Sequence, residues 1–382
     1  MKPARRISAL PPYMFAELDR KIAEKRAAGV DVISLGVGDP DMPTPPHIVE
    51  AAQRAAADPS THQYPSYFGM PELRAAIGDW YRVRFGVELD PETQIQPLIG
   101  SKEGIAHLPT AFVDPGDEVL VPDPGYPVYE MGTRLADGVP VATPLLAERA
   151  FLPDLEAAPV SDRTRVLWIN YPSNPTAAVA DLGFFEHATA FAREHDLLLA
   201  HDAAYSELTF DGYVAPSVLQ AGTEGVVEFG SVSKTYNMTG WRVGWAAGSA
   251  DAIEALARVK TNIDSGIFNA LQHAAIAALT GPQDVVEEMR ATYQKRRDLV
   301  VGTLNELGWD LEAPRGSIYV WFPTRDGMSS AAFCELLLER ARVVLAPGSG
   351  YGGGGEGYAR ISLTVPDDRL AEAMDRIREA LA

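Results

Sequence analysis

Cysteine is almost absent. Of 382 residues only Cys334 is a cysteine, which excludes an internal disulfide and a cysteine-built metal cluster. Its surroundings, AAFCELLLER, make it a packing residue rather than a nucleophile. Long apolar runs are missing too, and no stretch has the roughly 20 residues needed to cross a bilayer. The opening segment MKPARRISALPPYMFAELDR is basic but lacks an apolar signal core and a small-residue cleavage site. The expectation is a soluble, cytoplasmic protein with no membrane partner. Basic charge is scarce: 33 Lys and Arg stand against 52 Asp and Glu, a net charge of −19 with histidine neutral. Such a surface repels phosphate backbones and excludes nucleic acid unless one face is locally basic. No histidines pair at ligand spacing, so no metal is expected; His107 and His273 sit among apolar residues and read as core or interface.

What is present is globular. Hydrophobic residues make up 46% and charged residues 22%, enough for a sizeable core, and the length points to more than one domain. Between residues 95 and 250 short apolar runs (IQPLI, DEVLVP, RVLWIN, LLLAHD, VVEFGS, VGWAAG) alternate with amphipathic stretches. In DLGFFEHATAFAREHD, for example, Phe184, Phe185, Ala188, Phe191 and Ala192 fall at helical spacing. The fold class is therefore α/β with a mostly parallel sheet. After about residue 280 the pattern changes. A long polar helix, on which Arg296 and Arg297 are expected to face solvent, leads into the strand SIYVWFP, a helix near 329–341, strands at VVLAP and YARISLTV, and a closing helix. A helix at Tyr13–Ala28, cut off by LGVGDPDMPTPP, is expected to pack with this part. The expected division is a large domain over 41–280 interrupting a smaller α+β domain built from 1–40 and 281–382. The glycine-rich GSGYGGGGEG is too short and too tightly bracketed to be a linker.

Four segments carry chemistry. In Ser231-Val232-Ser233-Lys234, followed by Arg242, hydroxyls and a guanidinium can hold a phosphate while the lysine amine forms an imine with an aldehyde. Asp202, in His201-Asp202-Ala203-Ala204-Tyr205, closes an apolar strand where α/β sheets open their ligand crevice; taken alone, the helix N-cap reading is favoured. Asn170-Tyr171-Pro172-Ser173-Asn174-Pro175 follows another strand and alone is a turn. Gly100-Ser101-Lys102-Glu103-Gly104 opens a helix, whose free N–H groups suit an anion, but it lacks the Walker A spacing.

These segments, with LGVGDPD, YPSYFGMPELR, PDPGYPVY and GEGYARISL, occur in the order in which they occur in the fold-type I, class I/II aminotransferases. The chain resembles that family over essentially its whole length. The resemblance implies a three-layer α/β/α large domain and pyridoxal 5′-phosphate as cofactor. Lys234 would bind it covalently and shuttle the substrate proton; Asp202 would keep its ring nitrogen protonated; Asn174 and Tyr205 would hydrogen-bond its phenolic oxygen; Tyr126 would stack on the ring. Ser101, Ser231, Ser233 and Arg242 would bind the phosphate, with Tyr64 reaching across from a second subunit, and Lys102 lies on the same side. Arg360 would take the substrate α-carboxylate, helped by Gly38. Tyr13, Lys102, Asn174 and the partner-facing Asn269 would line the substrate site.

The loops look most like those of the LL-diaminopimelate aminotransferases, which exchange an amino group with 2-oxoglutarate by a ping-pong mechanism. KTNIDSGIFNALQ (Lys260–Gln272) has no arginine where animal-type aspartate aminotransferases carry one for a distal carboxylate. The alternatives are an aspartate-, glutamate- or alanine-type aminotransferase, or a pyridoxal-phosphate β-lyase on the same fold. An effector-sensing regulator would need an N-terminal DNA-binding domain, and only about thirty residues precede LGVGDP. The expected partners are an amino acid, a 2-oxo acid and a second copy of the chain.

Overall fold

The apolar runs between residues 95 and 250 become the strands of one sheet. In the computed structural model, which describes residues 2–8, 10 and 14–382, its seven strands lie in the order Ile95–Leu98, Gly244–Gly248, Val226–Ser231, Leu198–Asp202, Thr164–Asn170, Glu118–Asp123 and Val139–Pro144. Gly244–Gly248 runs antiparallel to both neighbours, and the other pairings are parallel.

The runs are continuous rather than alternating because both faces of the sheet are covered. Leu167, Ile169, Leu199 and Val226 pack into one core, with Phe185, Ala188 and Phe191 of the helix Leu182–Glu194. Val166, Trp168, Ala200, Val227 and Phe229 point the other way, onto Ile105 and Leu108 of Ser101–Phe112 and Ile253 and Leu256 of Ala250–Thr261. The helix Leu182–Glu194 starts where the Asp181 side chain accepts from Phe184 N at 2.8 Å, an ordinary N-cap. Val139–Pro144 has no counterpart among the sequence-predicted strands. It is a partly exposed edge strand with a proline at each of two positions, which blurs the apolar signal and suits only an edge.

Beyond residue 280 come the helix Asp284–Glu306, a three-stranded antiparallel sheet (Ala346–Pro347, Tyr358–Ser362, Tyr319–Pro323), and the helices Ser330–Arg340 and Asp367–Leu381. The helix Met14–Ala27 contacts this part. Lys21 and Lys25 pair with Glu335 and Glu339, Ile22 packs with Leu338 and Val344, and Ile33–Ser34 pairs with Val343–Val344. The packing carries more of this attachment than the exposed ion pairs do.

Arg296 and Arg297 do not face solvent. Both are buried, at 4% and 2% exposure. Arg296 bonds Asp367 at 2.7 Å, Asp41 at 2.6 Å and the Leu363 carbonyl at 3.0 Å. Arg297 bonds Asp211, Asp298 at 2.9 Å and the Pro314 carbonyl at 3.0 Å. A charged helix face looks solvated in sequence because most of its partners come from distant segments. Buried guanidinium groups persist only with such partners. Cys334 is partly buried against the main core, and burial pushes its thiol up to about 12.

Candidate active site

Asp202 and Ser231 are the last residues of adjacent parallel strands, so both stand at the carboxyl edge of the sheet. A cleft of about 390 Å³ opens there. It brings together Gly38, Ser101, Lys102, Tyr126, Asn174, Asp202, Tyr205, Ser231, Ser233, Lys234, Arg242 and Arg360. Two other residues expected at the site lie elsewhere in the single chain. Tyr64 is 86% exposed, and the Asn269 side chain bonds Gln272 at the start of the helix Asn269–Thr280. Tyr13 lies outside the described residues.

Asp202 is 5% exposed. It accepts from the Tyr129 hydroxyl at 2.9 Å and from Ala204 N at 3.3 Å, and burial still holds its carboxyl above the usual range. Asn170 sets the neighbouring loop. Its amide donates to the Asp202 carbonyl at 2.7 Å and its Oδ1 accepts from Asn174 N at 2.8 Å, so the turn carrying Asn174 is hung from the Asp202 strand. Behind it His201, fully buried, contacts Glu228 at 2.9 Å and the Tyr171 carbonyl at 3.0 Å.

Lys234 Nζ donates to the Gly38 carbonyl at 2.5 Å. Burial is the largest influence on the amine and lowers it from the usual lysine range, so its neutral, nucleophilic form is more accessible. Around it lies an anion-friendly corner. Ser231 Oγ caps Ser233 N at 3.1 Å, and Arg242, in the left-handed region at φ 56°, donates to the Thr239 carbonyl at 2.8 Å. Arg242 lies so close to Gly100 that a Cβ there would sit 2.7 Å from its guanidinium carbon. One on Gly244 would sit 2.5 Å from Ser101 N. Glycine at both positions is what lets this corner close.

Arg360 is 1% exposed, in the strand Tyr358–Ser362. Its Nη1 donates to Asn174 Oδ1 at 2.6 Å and its Nη2 to the Gly36 carbonyl at 2.7 Å. The segment after Gly36 is tied down in turn: Thr364 to the Val37 carbonyl at 3.0 Å, Thr239 to Asp39 at 2.7 Å, Arg296 to Asp41. LGVGDPD is therefore a strap between the lysine turn and the arginine strand.

The glycine run closes against Asp123. Gly354 N donates to its carboxylate at 2.8 Å, and a Cβ on Gly352 would meet Asp123 Cγ at 2.9 Å. The same loop places Tyr351, whose ring centroid is 4.9 Å from the Arg360 guanidinium carbon.

Sequence reasoning missed Tyr129, Thr239 and Tyr319, each of which lines the cleft or touches a residue that does. Tyr129 had a signal: it stands three residues after Tyr126, in the first turn of the helix Val128–Leu135, and the two rings meet edge to face at 5.9 Å. Tyr319 had none beyond its place in an apolar strand.

A buried amine, a corner of hydroxyls with a guanidinium, a buried carboxylate and a second, buried guanidinium all line one cleft. Residues 30–377 match the family described as aminotransferase class I and II, and the chain belongs to it. It is an enzyme that transfers amino groups. Among its relatives, the LL-diaminopimelate aminotransferase of Desulforudis audaxviator is 60% identical over 99% of this chain and 97% of its own. That of Moorella thermoacetica is 57% identical over 100% and 99%. Among solved structures, Thermus thermophilus aspartate aminotransferase with maleate superposes with a TM-score of 0.94 at 33% identity, covering 100% of both chains. The aromatic aminotransferase of Pyrococcus horikoshii gives 0.88 at 37% identity, over 94% and 98%.

Proposed function

We propose that the enzyme uses pyridoxal 5′-phosphate to move an amino group between LL-diaminopimelate and 2-oxoglutarate by a ping-pong mechanism. The observation that carries the substrate is full-length identity of 50–60% to relatives named LL-diaminopimelate aminotransferase. The residues present fit the cofactor. Its phosphate suits the corner of Ser101, Ser231, Ser233 and Arg242, closed by Gly100 and Gly244. Its ring nitrogen, when protonated, answers the buried charge of Asp202. Asn174 and Tyr205 suit the phenolic oxygen, and Tyr126 the ring face. Bound there, the cofactor supplies an aldehyde for the amino group and a ring that accepts the electron pair left when the α-proton departs.

The chain's own residues do the rest. Lys234 Nζ is the base that takes the α-proton and the acid that returns it, and burial brings its amine toward the operating range. Arg360, fixed by Asn174 and the Gly36 carbonyl, is the fork for the α-carboxylate, with Gly38 beside it. Lys102, at the mouth, answers a second carboxylate at the far end of the substrate.

A homodimer completes the site in this reading. Tyr64, Tyr67, Phe68, Ile263 and Phe268 form exposed apolar surface, and the loop at Gly266 rests on Ser66. Burying that surface against a second copy would carry Tyr64 and Asn269 to the neighbour's cleft. Residues 41–280 form the large domain, with 1–40 and 281–382 the smaller one. Among the described residues no helix is long and apolar enough to cross a membrane.

The test is a panel of amino donors with 2-oxoglutarate. LL-diaminopimelate should give the highest kcat/KM, and glutamate alone should convert the cofactor to its amine form. A higher kcat/KM for aspartate or alanine would overturn the substrate, and release of pyruvate and ammonia from cystathionine, a donor with a β-leaving group, with no amino transfer to 2-oxoglutarate from any donor would overturn the transfer itself.

A further inference from the structure

Tyr319 opens the strand Tyr319–Pro323 and is 3% exposed. In the antiparallel pairing Arg360 stands opposite Trp321, so Tyr319 is its diagonal neighbour on the same face of the sheet. The Arg360 guanidinium carbon lies 3.8 Å from the centre of the Tyr319 ring, well inside cation–π range. The other end of the same side chain makes different contacts. Its hydroxyl lies 3.0 Å from that of Tyr205, and the ring edge presses on Gly38, where a Cβ would come within 2.6 Å of Cζ. One phenol thus touches the arginine, the tyrosine and the strap that receives the Lys234 amine.

We propose that Tyr319 is a positioning residue with two separable duties: its ring face fixes the plane of Arg360, and its hydroxyl aims the Tyr205 phenol into the cleft. The inference rests on the roles given above to Arg360 and Tyr205. Two phenols share one hydrogen bond, and only one proton can lie between them. When Tyr319 donates to the Tyr205 oxygen, the Tyr205 proton is left pointing at the cofactor's ring oxygen, and the bond received makes it a stronger donor. When the plane of Arg360 is held by an aromatic face, the two guanidinium N–H groups used on a carboxylate need no ordering on binding.

Two substitutions separate the duties in the holoenzyme. Tyr319→Phe keeps the ring and removes the hydroxyl. It should raise the pH midpoint of the cofactor's visible band by about half a unit or more, because a ring oxygen that receives a weaker bond holds the neighbouring proton more tightly. KM for the amino acid should stay within about twofold, since the face under Arg360 is intact. Tyr319→Leu removes both, and should add a roughly tenfold rise in KM and in the dissociation constant of an unreactive dicarboxylate, read from the same band. An unchanged midpoint in Tyr319→Phe overturns the proposal, whether or not the leucine variant folds. An unchanged dicarboxylate constant in a folded Tyr319→Leu overturns the ring's duty, as does a KM rise of equal size in both variants. If the wild-type chain binds no pyridoxal phosphate or transfers no amino group, the functional reading fails first, and that result is distinguishable because it appears before any substitution.

Discussion

Replacing Gly38 by alanine adds one carbon, and the surroundings leave no room for it. The new Cβ would lie 2.6 Å from Tyr319 Cζ and 2.7 Å from Cε1, where carbon contacts settle near ~3.5–4.0 Å. Either the ring or the strap must move by about an ångström. The ring has nowhere to go without leaving Arg360 at 3.8 Å and Tyr205 at 3.0 Å, and the strap is bonded to Arg360, Thr364, Lys234 and Thr239. Overpacking of this kind costs about 1–3 kcal/mol of stability. Catalysis should suffer more: a misplacement of about 1 Å in a positioned group can lower the rate by ~10²-fold. The assay is kcat/KM alongside a thermal melt, with Gly240→Ala as control, since a Cβ at Gly240 meets nothing within 4 Å. Gly240→Ala should melt within about 0.5 kcal/mol of the parent. If Gly38→Ala keeps kcat/KM within about threefold of the parent while Gly240→Ala behaves as stated, the steric argument is wrong.

Arg360→Ala should raise KM by roughly 10²–10⁴-fold, from two charge-assisted bonds of ~1.5–3 kcal/mol each, with the cofactor still bound; an unchanged KM would move the carboxylate site elsewhere. Lys234→Ala should abolish both the yellow absorbance and turnover, and full activity would refute its role. For Asp202 the sign runs against stability. Burial raises its folded pKa, so the folded state keeps a proton after the unfolded chain has lost it, and stability falls as pH rises through that interval. Asp202→Asn should therefore raise the melting temperature of the cofactor-free protein at neutral pH while weakening cofactor retention; a lower melting temperature would count against it. Asp367 has the opposite sign. Its bonds to Arg296 and Lys295 lower its pKa, so its contribution is present above the ordinary carboxylate range and lost as pH falls through the lowered value. Arg296→Met should flatten that acid limb in pH-dependent melts, and an unaltered limb would remove Asp367 from the account.

The sheet was readable because its strands are buried on both faces. VLWI and LLLA announce themselves as unbroken apolar runs, and only the proline-broken edge strand was lost. Site residues were legible where short segments carry several polar groups together, as in SVSKT followed by Arg242. They were illegible where one side chain acts through tertiary contact. Tyr319 looks like any apolar strand residue until the register sets it diagonally to Arg360. The charged helix misled for the same reason, because Asp41, Asp211 and Asp367 lie far from Arg296 and Arg297 in the chain. Periodicity reports which face is polar, not whether another segment will come to cover it.

The reversed strand Gly244–Gly248 decides how this site is put together along the chain. A parallel neighbour would need a crossover carrying the chain to the far edge of the sheet and back. Because this neighbour runs the other way, the chain leaves Ser231 and re-enters at Gly244 without leaving the rim of the cleft. Ser231, Ser233, Lys234, Thr239 and Arg242 are thereby delivered by one uninterrupted peptide whose two ends are clamped side by side. Such a segment behaves as a cassette. It can be exchanged by design as one piece, with its internal geometry carried along.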